Sequence, residues 1–198
     1  MSVSTANKIL QVIDRQPEGS LFFPEDFADL GSPENVRKAL ERLQNRQKIT
    51  RVAQGIYARP KQNAYIGPIL PTAEEVAAAI AKRDRARTLA TGSTALNALG
   101  LSTQVPMNII LLTDGTARTV KVGNRTIKFK KTTPRNLALK GAISSLVIQG
   151  LKAIGKGKLS DSDEQKLLTL LRKEKHEDLL HDIRLAPVWA QQIMKKAL

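Results

Sequence analysis

A chain of 198 residues with 32 Lys and Arg against 18 Asp and Glu carries a formal net charge of +14, which favours a polyanionic partner. It has no cysteine, so disulfides and thiolate metal sites are excluded, and its 41% hydrophobic and 25% charged content describes an ordinary folded protein of one or two domains. No apolar run approaches the ~20 residues of a membrane helix, and no basic segment precedes an apolar core at the N-terminus. The expectation is a soluble, cytoplasmic protein without membrane contact.

Ala6, Ile9, Leu10 and Ile13 fall at helical spacing, the buried stripe of a first helix that ends near Pro17 and Gly19. Pro24 opens a short second helix anchored by Phe23, Phe27 and Leu30, with Gly31 as its stop. Ser32 serves as N-cap of a third helix, Pro33 suits its first position, and Glu34 adds first-turn negative charge. Val36, Ala39, Leu40 and Leu43 form the buried stripe of this helix, and Asn35, Lys38, Arg42, Asn45 and Arg46 its opposite face. After Lys48 the period changes to two: Ile49, Arg51 and Ala53, a Gln54-Gly55 turn, then Ile56 to Arg59. Helix, short helix, basic helix and hairpin together predict a winged helix-turn-helix over residues 1–61.

Charge is polarised along this stretch. Residues 14–29 hold Asp14, Glu18, Glu25, Asp26 and Asp29 against Arg15. Residues 33–61 hold Arg37, Lys38, Arg42, Arg46, Lys48, Arg51, Arg59 and Lys61 against Glu34 and Glu41. A solvated amphipathic helix is the plain alternative; the skewed charge and the hairpin favour a reading head for DNA. Asn35, Lys38 and Arg42 are spaced to face the major groove, where Asn pairs with adenine and Arg with guanine. Ser32, Arg37 and Arg46 suit phosphates, and Arg51, Gln54 and Arg59 on the wing reach toward the backbone or the adjacent minor groove.

Residues 60–72, with three prolines and one glycine, read as a linker or a strand crossing between domains, and residues 62–198 as an α+β second domain. Thr72 caps an alanine-rich helix with Glu74 and Glu75 in its first turn. Thr91 to Thr94 open a short helix that Gly100 closes, and the apolar run Met107 to Thr113 is the best central strand. Thr119–Val122 and Arg125–Lys131 meet at a tight Gly123-Asn124 turn, with Val120, Val122, Ile127 and Phe129 on the inner face and Lys121, Lys128 and Lys130 on the other. Those lysines either track phosphates or an acidic partner, or protect a sheet edge from pairing. From Leu137 the chain reads as a helical layer, with Ala142, Ile143, Leu146, Val147, Leu151 and Ile154 on one buried helix. A further helix is capped by Ser160, and a last one starting at Pro187 docks through Trp189, Ile193 and Met194.

The charge is greatest in the middle: residues 61–135 hold twelve Lys and Arg against four carboxylates. Lys82, Arg83, Arg85 and Arg87 form a compact cluster there, either second-tier phosphate contacts or a solvated helix end. Thr91-Gly92-Ser93-Thr94 has no lysine at the spacing of a phosphate-binding loop, and helix capping explains it better than anion binding. His176 and His181 stand five apart without a ligand pattern around them, and solvent exposure explains them better than a metal pair. No nucleophile, base and orienting group assemble, so no enzyme, metal or cofactor is expected.

The order of the winged helix, Gly55-Ile56-Tyr57 at the wing, a proline-bounded segment, Gly92-Ser93-Thr94-Ala95-Leu96 through Gly100-Leu101, an apolar strand and a basic hairpin resembles the AbiEi-type antitoxins. These are transcriptional regulators of type IV abortive-infection toxin–antitoxin systems. The resemblance covers roughly residues 1 to 135 and leaves the C-terminal third without a matching motif. It implies a winged helix that binds inverted repeats in the operon's own double-stranded promoter and represses it. It also implies a C-terminal domain that counters a nucleotidyltransferase-like toxin without forming a stable complex. The alternative is an interaction module whose basic surface meets an acidic partner or RNA, without promoter regulation. A nucleic-acid enzyme ranks last.

Overall fold

The computed structural model describes residues 4–198, so the first three residues of the expected reading domain lie outside it. It is an α+β protein that packs as two compact units. The first runs to Ile80 and includes Val120–Asn124; the second comprises Ala81–Thr119 and Arg125–Leu198. Among the described residues no helix is long and apolar enough to cross a membrane.

The first unit is built on two amphipathic helices. Helix α1 (Thr5–Asp14) is capped by Ser4, whose Oγ accepts from the Asn7 amide at 3.3 Å. Helix α2 (Pro33–Asn45) is capped by Ser32. Their stripes, Ala6, Ile9 and Ile13 against Val36, Ala39, Leu40 and Leu43, bury together with Phe22, Phe27, Ile49 and Tyr57. The periodicity placed these side chains, and burying each large one contributes about 1.5–3 kcal/mol. Strands β1 (Leu21–Phe22), β2 (Thr50–Ala53) and β3 (Ile56–Ala58) form an antiparallel sheet in the order β1-β3-β2. The turn between β2 and β3 uses Gly55 at φ +68°, as the Gln54-Gly55 signal requires.

Three features depart from the sequence reading. Strand β1 pairs Leu21 with Ala58 and Phe22 with Tyr57, and two residues are too few to show a period. The short second helix, Pro24–Leu30, is 3₁₀ rather than α, with Phe27 off helical geometry, and Gly31 ends it in extended rather than left-handed backbone. Gly31 is there for closeness: a Cβ would stand 3.3 Å from Thr5 Cγ2. Residues 60–72 are not a bare linker but hold a hairpin of β4 (Lys61–Asn63) and β5 (Gly67–Ile69), registered Lys61 to Ile69 and Asn63 to Gly67. Asn63 Oδ1 closes its turn by accepting from the Tyr65 and Ile66 amides at 2.8 and 3.1 Å.

Helix α2 stops in a Schellman motif, with Gln47 N–H donating to Gln44 O at 2.8 Å and Lys48 N–H to Leu43 O at 3.0 Å. The left-handed position is Gln47, at φ +58°, where glycine is the usual occupant. Relief of this strain makes Gln47→Gly the stabilising change, expected to raise the unfolding free energy by about 0.5–1 kcal/mol in urea titrations. A loss of stability would show that the Gln47 side chain outweighs its backbone.

Helix α3 (Ala73–Arg83), capped reciprocally by Thr72 and Glu75, is followed by a four-stranded sheet. Its strands are β6 (Thr88–Ala90), β7 (Asn108–Thr113), β8 (Arg118–Val122) and β9 (Arg125–Lys131), in the order β6-β7-β9-β8. The apolar run is the central strand expected of it, antiparallel to β6 and parallel to β9. Ile127 and Phe129 are buried as the alternation requires, whereas Val120 and Val122 are only half-buried.

Helices α4 (Ser93–Ala98), α5 (Ala142–Ile154), α6 (Asp161–Leu171), α7 (His176–Leu185) and α8 (Val188–Met194) complete the second unit. Their core joins Leu99, Val147, Ile148, Leu151, Leu167, Leu171, Leu179, Ile183 and Met194. In α5 the buried set is shifted from the expected stripe: Ile148, Gln149 and Gly150 are buried and Ala142 is exposed. A Cβ on Gly150 would stand 2.8 Å from Leu99 Cδ1, so the glycine sets how closely α4 and α5 approach.

Candidate nucleic-acid interface

Burial of one stripe of α2 leaves the other face to solvent. Asn35, Arg37, Lys38, Arg42, Asn45 and Arg46 lie outside the core on or just after 13 residues of helix, about 20 Å of length. The Ser32 hydroxyl is committed to the helix, accepting from the Asn35 amide at 3.3 Å. Lys38 Nζ lies 2.8 Å from Glu34 Oε1, one turn earlier, with both side chains well exposed. Such a surface pair is worth about 0.3–0.5 kcal/mol, so an anion displaces Glu34 from Lys38 easily.

The hairpin beside the helix contributes unequally. Gln54 is exposed at the turn, and Arg51 is exposed with its Nε donating to Ala53 O at 3.4 Å. Arg59 is turned away from the wing surface. Its Nη1 donates to Asp14 O at 2.9 Å and Gln16 O at 2.5 Å, closing the C-terminal end of α1. The α2–β2 corner and the β4–β5 hairpin enclose an open cleft of roughly 500 Å³ lined by Gln44, Gln47, Thr50, Arg51, Gln62 and Pro68. Of these only Arg51 stood out in the sequence; the signal for the rest was the amide-rich run Gln44, Asn45, Gln47 at the helix end.

The second-tier cations divide. Lys82, Lys121, Lys128 and Lys130 are exposed, as is Arg85. Arg83 Nε donates to Asp84 Oδ1 at 2.9 Å, and Arg118, stacked 5.6 Å over the Phe129 ring, pairs with the other Asp84 oxygen. Burial lowers the pKa of Arg118, and Arg83 lowers it further. Arg87 grips Asp114 through its Nε at 2.9 Å and its backbone amide at 2.8 Å, which holds the Asp114 carboxyl below the usual aspartate value. Whatever this pair adds to stability is present above the ordinary aspartate pKa and is lost as pH falls through the lowered one.

Two other expectations change. Thr91–Thr94 does not cap α4 through a side chain: Gly92 is the N-cap residue, and the Thr91 hydroxyl donates to Gln149 Oε1 at 3.3 Å. His181 is half-buried, its Nδ1 2.8 Å from Asp182 Oδ1, while His176 is exposed. Ser144 Oγ also bonds Asp182, at 2.5 Å, so serine and histidine share the carboxylate and neither activates the other. Among the described residues no three His, Cys, Asp or Glu gather where they could hold a metal ion.

The fold and this surface define an α+β protein whose first unit presents a basic helix face beside two short hairpins. The chain belongs to a family of unknown function, DUF6088, whose profile matches residues 8–179. A solved structure, the Rv2827c protein from Mycobacterium tuberculosis, is similar at 13% identity and a TM-score of 0.48, over 97% of this chain and 81% of that one. No curated protein matches the sequence.

Proposed function

We propose that the chain is a sequence-specific DNA-binding repressor whose first 61 residues are a winged helix-turn-helix and whose recognition helix is α2. The observation that carries this reading is the exposed face of α2, where Asn35, Lys38 and Arg42 stand at helical spacing above a fully buried stripe. The order of α1, β1, the 3₁₀ turn, α2 and the β2–β3 hairpin supports it, with β3 central in the sheet. Arg37, Arg46 and Arg51 then neutralise phosphates, and Arg59 acts indirectly by fixing α1. Residues 62–198 would carry the antitoxin activity against a nucleotidyltransferase-like toxin. That part of the proposal, with autoregulation and a cytoplasmic location, rests on the AbiEi-type resemblance.

The test is a fluorescence-anisotropy titration of duplex DNA from directly upstream of the coding sequence, with a scrambled duplex as control, at several salt concentrations. Preferential binding that persists at physiological salt is the expected result. Equal binding to both duplexes that collapses as salt rises would point to a general polyanion surface instead. The exposed Lys128 and Lys130 on β9 would then favour the interaction-module reading, with RNA or an acidic partner.

A further inference from the structure

The β4–β5 hairpin ends in the most exposed large apolar residues of its unit: Tyr65 is 95% and Ile66 74% accessible. The tip is built rather than loose. Both amides are held by Asn63 Oδ1, and the stem is tied to the body where Glu18 Oε2 accepts from the Gln62 amide at 3.3 Å. Its position is equally defined, because Gln62 and Pro68 of the hairpin line the same cleft as Gln44 and Gln47 at the end of α2. The chain that carries it is cationic: residues 42–73 contain Arg42, Arg46, Lys48, Arg51, Arg59 and Lys61 and no carboxylate, and Glu18, from outside that run, is engaged at the stem with the Gln62 amide. An apolar knob in a cationic frame suits a ligand that is polyanionic outside and apolar within.

We propose that Tyr65 and Ile66 form a wedge that enters the DNA minor groove beside the site read by α2, partly unstacking a base step. This rests on the DNA-binding reading of α2. The dimensions agree: strands of three residues carry the tip about 10 Å out, and the minor groove is about 6 Å wide and 7.5 Å deep. Apolar side chains inserted between base pairs kink the duplex by about 20–90°, preferentially at flexible pyrimidine–purine steps. The hairpin therefore adds preference for deformable sequence without base hydrogen bonds, and Lys61 at its root neutralises a flanking phosphate.

The experiment uses the full chain and the upstream duplex, labelled at its two ends with a donor–acceptor pair. Wild-type protein should raise energy transfer on binding, and netropsin, a minor-groove ligand, should compete. The Tyr65→Ala, Ile66→Ala double variant should bind roughly tenfold more weakly and no longer raise transfer, as apolar burial less unstacking implies. Its salt dependence should not change, since neither residue is charged. Tyr65→Phe should behave as wild type; a loss as large as for Tyr65→Ala would mean a hydroxyl contact and overturn the wedge. Unchanged affinity and transfer in the double variant, with no netropsin competition, would overturn it too and leave the reading of α2 intact, with the tip assigned to a protein partner. No preference of the wild-type chain for the upstream duplex would overturn both. Far-UV circular dichroism of each variant separates these results from unfolding.

Discussion

Asp182→Ala is expected to lower the unfolding free energy of the helical layer by about 3–5 kcal/mol. Asp182 lies on α7 with 0% exposure, yet it serves the start of another helix. Its Oδ1 accepts from the Lys140 amide at 2.9 Å, and its Oδ2 from the Gly141 amide at 2.9 Å and the Ser144 hydroxyl. Glu174 completes the arrangement, its Oε2 accepting from the Ile143 and Ser144 amides at 2.7 and 3.0 Å. The N-terminus of α5 has no side-chain cap of its own, so two carboxylates from distant sequence satisfy its free N–H groups and oppose its dipole. Alanine at 182 leaves the Lys140 and Gly141 amides without this acceptor, each orphan worth about 1–3 kcal/mol, while the Ser144 hydroxyl keeps only the longer bond to Gly141 O at 3.3 Å. Asp182→Asn keeps one carbonyl oxygen but turns an amide donor toward other donors, so roughly half the loss should remain. Glu177→Ala, five residues away on the same helix and exposed, should stay within about 0.5 kcal/mol. Urea unfolding followed by the fluorescence of Trp189, the chain's one tryptophan, reports on this layer. A shift below about 1 kcal/mol for Asp182→Ala would mean that water reaches the α5 terminus and replaces the carboxylate.

That cap also shows where sequence reading ends. The stripes of α1 and α2 were legible because the burial of a helix face is periodic, and the exposed face of α2 followed from the same period. The turns at Gly55 and Gly123 were legible because left-handed backbone selects glycine. The same backbone occurs at Gln47 and Arg85, where no glycine announces it, so the Schellman ends of α2 and α3 were silent. The prolines left residues 60–72 open between a linker and a crossing strand and hid the hairpin, although a two-stranded ribbon has an unpaired edge on which the missing donor of Pro68 is harmless. Asp182 and Gly141 are separated by 41 positions, and Arg59 reaches Asp14 across 45. Nothing local marks such pairs, which is why Arg59 and Arg87 read as available cations while the fold gives each a distant partner; Arg83 instead takes the adjacent Asp84.

Arg42→Ala is expected to weaken binding to the upstream duplex by roughly 5- to 150-fold, the loss of one bidentate base contact worth about 1–3 kcal/mol. Binding to scrambled DNA should fall much less, because there Arg42 offers only one charge among many, and the salt slope should change by about 1 at most. Arg46 supplies the contrast: exposed as the C-cap residue of α2, it is placed for a phosphate, so Arg46→Ala should weaken both duplexes alike. Lys38→Ala should lie between them, since freeing its ammonium from Glu34 takes only a few tenths of a kcal/mol, while a lysine reads guanine with less geometric restraint than arginine. Each substitution is on an exposed position of a capped helix with an intact buried stripe, so none should change the far-UV spectrum. The ratio of specific to non-specific loss is the quantity to measure. If it is large for Arg42 and near one for Arg46, α2 reads base edges with its middle and grips backbone with its end. Equal losses for both would place Arg42 on phosphate, leaving Asn35 and Lys38 as the base-reading side chains on the exposed face of α2.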